Sequence, residues 1–266
     1  MLSPSPLLVH LTCKAALHSI ASVTVVGLPN LLAALNAART NGLVTLANHI
    51  STLDDPLVWG VLPTKYFFNS RTIRYTLGAS DVMFTNPVFS AFFRSGQVLE
   101  TVRGNGIHQP SVDAAIDKLN RGDWVHFFGE GKINQPNTYP QRDGVAHLPR
   151  FKWGVGRVLM EASVLPVIIP MWLSGFDRLM PEGRSFPYNY LPRPGQHLSV
   201  TFGEPLDTGE LQKALQALQD TATRTEATKM DADITKTRIE VTAMVHRAVE
   251  ALGLSVSGNL LTRTPE

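Results

Sequence analysis

A histidine and an aspartate five positions apart stand where an apolar, strand-like run gives way to a helix signal. Residues 43–47 are apolar, His49 follows them, and Asp54 comes shortly before a helix signal at Pro56. Ligands in open α/β sheets bind at the carboxyl ends of strands, so this position suits a site. A histidine titrates near neutral pH, and a neighbouring carboxylate fixes its tautomer. The pair therefore predicts a general base that takes a proton from a hydroxyl group.

Two local geometries are compatible with this stretch. Either Asp55 caps a helix that begins at Pro56, or Ser51 is the cap and Asp54 is the third helical residue. In both, Asp54 lies within a turn of a helix N-terminus, whose partial positive charge favours an ionised carboxylate. The alternative is that these acids only cap a helix and that His49 is a loop histidine without chemistry.

The composition limits the class of protein. A chain of 266 residues with 44% hydrophobic content is large enough for a proper core. The single cysteine, Cys13, excludes an internal disulfide framework and a cysteine-based zinc site, and we predict no metal site. A net charge of +2 is too small to indicate nucleic acid as a partner. The sequence contains no P-loop, dinucleotide glycine fingerprint, serine elbow or H-E-x-x-H motif, and we predict no cofactor.

Residues 1–40 are predicted to associate with a membrane. Lys14 is the only charged residue in the first 38, and residues 15–35 are largely apolar. This run is long enough to cross a bilayer, but the break between Gly27 and Asn30 argues against one spanning helix. We expect two shorter apolar helices, one before Gly27 and one starting near Asn30, which lie in the membrane interface. The alternative is that both helices pack on the soluble core.

Strand and helix patterns alternate along residues 41–254, which predicts one α/β domain with a central mixed sheet flanked by helices. We expect strands at 43–47, 74–79, 97–102, 124–128, 164–171 and 198–202. We expect helices at 88–94, 110–119, 154–162 and 207–218, and a last amphipathic helix capped near 231–233. Residues 172–197 are rich in proline and aromatic residues and predict a long ordered loop, a lid or a membrane-facing flap. Residues 255–266 are expected to be a frayed tail.

Two further strand ends carry candidate site residues. Arg103 follows the strand at 97–102, and its guanidinium fork can clamp a phosphate; the alternative is an exposed surface arginine. Glu130 lies between Gly129 and Gly131, where bare backbone lets a ligand approach closely. Glu130 can order Arg103 or accept a hydrogen bond from a substrate hydroxyl; the alternative is an ordinary turn.

These pieces resemble, in order, the four sequence blocks of the glycerophospholipid acyltransferase superfamily. His49 and Asp54 match its catalytic H-x4-D block, residues 96–103 match the arginine-bearing second block, and 128–131 and 167–170 match the third and fourth. Within the superfamily the sequence resembles the tafazzin family. The stretches that carry this finer resemblance are 48–56, 118–126, 131–134 and 152–157. One residue departs from the pattern: Gly129 stands where the third block usually carries proline, which puts the rigidity of that loop in doubt.

The resemblance implies a glycerol-3-phosphate acyltransferase-like fold and a CoA-independent transacylase. Such an enzyme moves acyl chains between phospholipids and lysophospholipids, and remodels cardiolipin from monolysocardiolipin. The resemblance implies that His49 is the base and Asp54 its support. The residues implied to contact substrate are Asn48, Arg103, Glu130 and Gly131.

The implied partners are phospholipid and lysophospholipid substrates and the membrane surface. The implied location is a mitochondrial membrane, outer or inner, facing the intermembrane space. Two alternatives stay open. One is an acyl-CoA-dependent lysophospholipid or 1-acylglycerol-phosphate acyltransferase, and the other is a membrane lipid-binding protein without catalysis.

Overall fold

A seven-stranded sheet lies at the centre of the computed structural model, which describes residues 5–38, 40–222 and 227–264. The strands are β1 (Ala21–Val26), β2 (Leu43–Ala47), β3 (Tyr75–Ala79), β4 (Val98–Thr101), β5 (Trp124–Phe128), β6 (Gln141–Arg142), β7 (Val145–Ala146), β8 (Val167–Ser174) and β9 (Gln196–Phe202). The α-helices are α1 (Pro6–Ile20), α2 (Leu28–Asn36), α3 (Asp54–Val58), α4 (Ser80–Met83), α5 (Pro87–Ser95), α6 (Pro110–Asn120), α7 (Trp153–Glu161), α8 (Phe176–Leu179), α9 (Gly209–Ala222) and α10 (Ala227–Ser257). Strands β6 and β7 form a separate two-stranded sheet.

The order across the main sheet is β1-β9-β8-β2-β5-β3-β4. Strand β2 is parallel to both of its neighbours, β8 and β5, and the parallel arrangement continues through β3 to β4. Strand β9 runs antiparallel to β8 and parallel to β1. The predicted α/β fold with a central mixed sheet and flanking helices is therefore confirmed. The carboxyl ends of β8, β2, β5, β3 and β4 meet at one edge of the sheet, which we call the carboxyl edge.

Strand β2 is buried along its whole length. A continuous apolar run is typical of a parallel strand that is covered on both faces. The polar exception, Thr45, accepts a hydrogen bond from Trp124 Nε1 at 2.9 Å and bonds His126 Nδ1 at 2.8 Å. Helix α6 packs on β3, β4 and β5, and α10 packs on β8 and α7. Helix α7 also contacts α6, so these three helices form one continuous layer against the sheet.

The N-terminal region differs from the prediction of two consecutive apolar helices. Helix α1 ends at Ile20, and residues 21–26 form β1, which pairs with β9 at the sheet edge. The run Val23-Thr24-Val25-Val26 is β-branched, and such residues favour a pleated strand over a helix. Gly27 then takes a left-handed φ of 67°, and α2 follows it. Among the described residues, no helix combines the length and the apolarity that a bilayer crossing requires.

The predicted loop and tail also need correction. Strand β8 continues to Ser174, three residues into the segment expected to be a loop. Helix α10 continues to Ser257, whose hydroxyl accepts a hydrogen bond from the buried indole of Trp172 at 2.8 Å. Leu261 is buried in the core. Residues 255–261 are therefore part of the fold rather than a frayed tail, because they cover β8; residues 265–266 lie outside the described part.

Candidate active site

The side chains of His49 and Asp54 meet at the carboxyl edge, just beyond β2. Nδ1 of His49 lies 2.9 Å from Oδ2 of Asp54. The Asp54 side chain is fully buried, whereas 17% of the His49 side chain is exposed. With the carboxylate ionised, Nδ1 carries the proton and donates it, which leaves Nε2 as the proton acceptor of the ring. The imidazole can therefore act as a base towards a molecule outside the protein.

Asp54 is held by the loop that it supports. Its Oδ2 accepts hydrogen bonds from the backbone N–H groups of Ile50 at 2.7 Å and Ser51 at 2.9 Å, in addition to the bond from His49. Burial raises the pKa of Asp54, and the three hydrogen bonds to Oδ2 oppose that rise. Three donors directed at one oxygen stabilise the charged carboxylate, which is the form that supports a histidine base.

The start of helix α3 differs from both predicted capping arrangements. The helix begins at Asp54 itself, and Leu53 at the cap position provides no side-chain hydrogen bond. The hydroxyl of Ser51 accepts from the N–H of Leu53 at 3.1 Å. Asp54 turns back to the histidine loop and Asp55 turns to an arginine, so neither carboxylate is available as a conventional cap.

The loop after β5 holds the histidine loop through its backbone. Oε1 of Glu130 accepts from the N–H of His49 at 2.8 Å, and the N–H of Asn134 donates to the carbonyl of His49 at 2.8 Å. Gln135 Nε2 donates to the carbonyl of Ile50 at 3.2 Å. Both backbone polar groups of His49 are thus bonded to this loop. The sequence marked Asn134 only as part of a family-like stretch, and it gave no signal for Gln135.

In the structure, Glu130 and Gly131 hold the backbone of the site in position. Glu130 is only 2% exposed, and its Oε2 accepts from Asn134 Nδ2. Gly131 adopts a left-handed φ of 68° and its N–H donates to the carbonyl of Phe128, which closes the turn off β5. Contacts from Glu130 and Gly131 to substrate stay a prediction.

The protonation of Glu130 predicts how stability changes with pH. Burial raises the pKa of Glu130 to about 8 from an ordinary value of 4.5, against the lowering effect of its bonds from His49 and Asn134. Between these values the folded state holds a proton that the unfolded state releases, so stability falls as pH rises. We expect the free energy of unfolding of the wild type to fall by about 4 kcal/mol between those two pH values because of this group. Glu130→Gln, which cannot titrate, should not show that loss. Urea denaturation across this range measures it. The exposed Glu100→Gln is the control, and parallel profiles for wild type and Glu130→Gln would contradict the prediction.

Phe151 explains why glycine is accepted at position 129. A Cβ atom added to Gly129 would lie 2.4 to 2.6 Å from three ring atoms of Phe151. The N–H of Lys152 also donates to the carbonyl of Gly129 at 2.8 Å. The phenyl ring thus fills the space that a side chain at position 129 would occupy, and it supports the loop from outside.

Gly129→Ala is therefore expected to lower stability by about 1–3 kcal/mol, because the added methyl group overpacks against the ring of Phe151. Gly129→Ala with Phe151→Leu should recover part of the loss. Gly154→Ala is the matched control, since a Cβ atom there meets no atom within 4 Å. Thermal unfolding of the variants measures the effect, and equal stability of Gly129→Ala and Gly154→Ala would refute the explanation.

The ring of Phe128, the last residue of β5, forms one wall of the site. The rings of His49 and Phe128 stack with centroids 4.3 Å apart and an interplanar angle of 24°. Phe128 in turn meets the buried His126 edge-on at 4.5 Å. Burial lowers the pKa of His126 to about 3, so its ring is neutral. The stack fixes the plane of the His49 ring, a contact that the sequence did not reveal.

Asn48 does not face a substrate in this structure, contrary to the prediction. It is fully buried, its Nδ2 donates to the carbonyl of Leu173 at 2.9 Å, and its Oδ1 accepts from the N–H of Leu173 at 2.8 Å. Strands β2 and β8 are neighbours, so this amide continues their pairing beyond the end of β2. Asn48 therefore sets the position at which the chain leaves the sheet for His49.

Arg103 lies at the same edge but is not in contact with the histidine. It follows β4, the outermost strand, and its Nη1 donates to Asp81 Oδ2 at 3.3 Å. Both partners are at least half exposed. Three strand spacings separate β4 from β2, or about 14 Å. The structure thus brings His49, Asp54 and Glu130 together and leaves Arg103 apart from them.

A buried ion pair that the sequence did not reveal lies behind the site. Nη2 of Arg74 donates to Asp55 Oδ2 at 2.5 Å and its Nε donates to Oδ1 at 3.2 Å. The same guanidinium donates to the carbonyl of Gly96, and Trp59 Nε1 donates to Asp55. Burial alone would raise the pKa of Asp55, but the nearby positive charge of Arg74 and these bonds lower it. The pair joins α3 to the residue that precedes β3, directly next to Asp54.

The geometry supports proton transfer to and from a hydroxyl at a partly exposed histidine. Within the described ranges, no group of three histidine, cysteine, aspartate or glutamate side chains is placed to hold a metal ion. His49 would contact the reacting atoms. Asp54 supports its ring, and Glu130 fixes the backbone of its loop. This is a histidine base after the end of β2 with a carboxylate support at the start of α3, an arrangement that suits acyl transfer to an alcohol.

Comparison with known proteins agrees with this chemistry. Residues 23–174 match a family model described as Acyltransferase. A tafazzin from Dictyostelium discoideum is 36% identical over 203 residues, which is 74% of this chain and 66% of the relative. An N-acylphosphatidylethanolamine synthase from Arabidopsis thaliana is 37% identical over 170 residues, or 62% and 56% of the two chains. In fold, the chain is similar to a 1-acyl-sn-glycerophosphate acyltransferase from Thermotoga maritima, with a TM-score of 0.55, 19% identity, and coverage of 93% and 79%.

The chain belongs to the acyltransferase family. Within that family it is similar to tafazzins from three organisms, at 34 to 38% identity. The aligned part spans 41 to 66% of the length of these curated relatives. The family model includes His49, Asp54, Glu130 and β8 up to Ser174.

Proposed function

We propose that the protein is a CoA-independent transacylase that moves acyl chains from phospholipids to lysophospholipids. The observation that carries the proposal is the hydrogen-bonded pair of His49 and Asp54 at the carboxyl edge, in a chain that is similar to tafazzins. The substrates would be a phospholipid donor and a lysophospholipid acceptor, with monolysocardiolipin as the acceptor in cardiolipin remodelling. We further propose that the protein works on a mitochondrial membrane, outer or inner, facing the intermembrane space.

In the proposed mechanism, the hydroxyl oxygen of the acceptor attacks the ester carbonyl of the donor. Nε2 of His49 takes the proton of that hydroxyl at the same time. The oxygen–carbon bond forms and a tetrahedral oxyanion results. Asp54 stabilises the imidazolium through the bond to Nδ1, which is already made in the resting protein. When the intermediate collapses, the donor's glycerol oxygen leaves and takes the proton back from Nε2. The products are an acylated acceptor and a lysophospholipid, and base catalysis of this kind contributes about 10²–10⁴-fold.

We propose that the N-terminal region contacts the membrane interface, as the apolar sequence predicts. Leu8 and Leu11 on α1 are exposed, and so are Val88 and Phe89 on α5. Helices α1 and α5 contact each other, so these side chains belong to neighbouring elements. Exposed apolar side chains on adjacent helices are typical of a protein that lies on a membrane without crossing it.

An assay with a radiolabelled phosphatidylcholine donor tests the reaction. Purified protein receives labelled donor and a lysophospholipid acceptor, with and without acyl-CoA, and the label is followed by chromatography. Transfer without acyl-CoA supports the proposal, and strict dependence on acyl-CoA would overturn it. Release of free fatty acid would instead indicate hydrolysis.

A second acceptor class follows from the relative named N-acylphosphatidylethanolamine synthase. An ethanolamine headgroup presents an amine, and a histidine base can accept a proton from an attacking amine as it can from a hydroxyl. The same assay with phosphatidylethanolamine as acceptor separates the two cases. Label in an N-acylated product would favour this second function, whereas label only in ester-linked products supports transfer to lysophospholipid.

Arg103 is proposed to bind the phosphate of a substrate headgroup. Its bond to Asp81 is exposed, and such pairs contribute about 0–1 kcal/mol, so a phosphate can displace Asp81 at little cost. We expect Arg103→Gln to raise KM about tenfold or more and to change kcat only a few-fold, because the phosphate is held equally in ground and transition states. Arg94→Gln, which removes an exposed arginine paired with Glu100, is the control. An unchanged KM for Arg103→Gln would contradict the assignment.

A further inference from the structure

A polar cleft that the proposed chemistry does not use lies beside the histidine loop. Its volume is about 390 Å³, and it opens between residues 135–137, the turn after β8 and the start of β9. Two arginines, Arg178 and Arg193, line it, and neither forms a salt bridge with any residue in the described part of the chain. Exposed arginines at a cleft without a carboxylate pair are suited to an anion.

The other groups of the cleft favour an oxygen-rich anion. The amides of Gln135, Asn137 and Gln196 line it together with the arginines. Asp177 also lines the cleft; burial raises the pKa of its carboxyl, and the positive charge of Arg178 opposes that rise. Arg178 is held in place, because its Nη2 donates to the carbonyl of His197 at 3.3 Å and to the hydroxyl of Thr264. Its guanidinium is therefore oriented before any ligand binds.

An exposed aromatic segment adjoins the cleft. Residues 186–191 include Phe186 at 81% exposure and Tyr190 at 72%, whose rings contact each other edge-on. Arg193 follows two residues after this segment. Aromatic side chains with arginines beside them are typical of the interfacial layer of a membrane, where the rings reach the acyl boundary and the cations meet lipid phosphates.

Gln135 connects this cleft to the histidine loop. Its Nε2 donates to the carbonyls of Ile50 and Met180, both at 3.2 Å, and its Oε1 accepts from the N–H of Glu182 at 3.2 Å. One side chain therefore forms a wall of the cleft, holds the turn after β8, and contacts the residue that follows His49. A headgroup in the cleft would lie one side chain away from the histidine loop.

We propose that this cleft binds the phosphodiester headgroup of an anionic phospholipid, while residues 186–191 insert into the interfacial layer of the same membrane. The inference rests on the proposed function insofar as a lipid substrate requires a membrane surface. This cleft is separate from His49. It is also separate from Arg103, the residue proposed to bind a substrate phosphate, which follows the outermost strand β4. Occupation of the cleft would dock the carboxyl edge, and with it His49, against the lipid.

Vesicle co-sedimentation tests the proposal without any turnover, in the His49→Ala background. Binding is compared for vesicles of phosphatidylcholine alone and of phosphatidylcholine mixed with phosphatidylglycerol. We expect Arg178→Gln with Arg193→Gln to weaken binding to the anionic vesicles about 30-fold, since each arginine at the surface contributes about 1 kcal/mol. The matched control, Arg121→Gln with Arg247→Gln, removes the same charge from two exposed residues outside the cleft and should bind within about threefold of the parent.

A third variant separates the two parts of the surface. Phe186→Ser with Tyr190→Ser should weaken binding to both kinds of vesicle and keep the preference for the anionic one. Equal binding by the two arginine double variants would overturn the proposal. Thermal stabilisation by inorganic phosphate that needs Arg178 and Arg193, with vesicle binding unchanged, would also overturn it and assign the cleft to a free phosphate. Because these readouts involve no acyl transfer, failure of the proposed reaction would leave them unaffected.

Discussion

Replacing His49 with alanine is expected to lower kcat for acyl transfer by about 10²–10⁴-fold, because no other group in contact with Asp54 can accept the proton of the acceptor hydroxyl. The bond from Nδ1 to Asp54 Oδ2 at 2.9 Å holds the ring with Nε2 available. Transfer of labelled acyl chains from phospholipid to lysophospholipid measures the effect. KM should change little, since the base acts in the transition state rather than in binding.

The chain offers a matched control for this substitution. His147 Nδ1 lies 3.2 Å from Glu250 Oε1, which makes a second histidine–carboxylate pair between the segment after β7 and helix α10. His147→Ala should retain the wild-type rate within about threefold. If His49→Ala and His147→Ala were equally active, the base would have to be another residue.

Asp54→Asn separates support of the base from support of the loop. The new amide oxygen can still accept from the N–H groups of Ile50 and Ser51, but it no longer offers a negative charge to the imidazolium. We expect a loss of kcat close to that of His49→Ala, and the double variant to lose little more than either single one, because the two residues act as a unit. Additive losses would show that Asp54 and His49 act independently.

The sequence predicted those parts of the fold that depend on local pattern. The apolar run of β2 and the run Trp124–Phe128 of β5 appear as expected, because continuous apolar stretches between turn residues favour buried parallel strands. The pairing of His49 with Asp54 was also predictable. A spacing of five residues across a strand-to-helix turn leaves few ways to place the two side chains apart.

Contacts between distant segments could not be predicted in this way. Glu130 lies 81 positions from His49 in the chain, and its bond to the His49 N–H depends on the adjacency of β2 and β5 in the sheet. Strand β1 was missed because its apolar residues fit a membrane helix equally well, and its pairing partner, β9, lies about 175 residues further on. Local periodicity carries no information about such partners.

The partner of Asp55 could not be predicted from the sequence either. Next to a helix start, an aspartate is expected to be a cap, and nothing nearby in the sequence indicates a different partner. Arg74, 19 positions later, takes both carboxylate oxygens of Asp55 in the folded chain. The two neighbouring aspartates therefore have different roles: Asp54 supports the histidine, and Asp55 anchors the helix that carries Asp54.

This anchor predicts the largest loss of stability among the substitutions considered. Arg74→Met is expected to lower the free energy of unfolding by about 3–5 kcal/mol, because it leaves the charge of Asp55 buried without its partner. Each side chain of the pair is only 4% exposed. The nearby Trp59 indole N–H would remain as a donor to Asp55, but one neutral donor does not replace a bidentate guanidinium. Urea denaturation at neutral pH measures the change.

The exposed pair of Arg94 and Glu100 is the matched control, because Arg94→Met breaks a salt bridge whose side chains are 63% and 40% exposed and should cost less than about 1 kcal/mol. Lowering the pH further distinguishes the buried pair from the exposed one. The pKa of Asp55 is lowered in the folded state, so its contribution is present above its ordinary pKa of 3.8 and is lost as pH falls below that value. The stability difference between wild type and Arg74→Met should therefore shrink in acid. A loss as small as that of Arg94→Met would mean that the buried pair does not anchor α3, and that the position of Asp54 depends on the histidine loop alone.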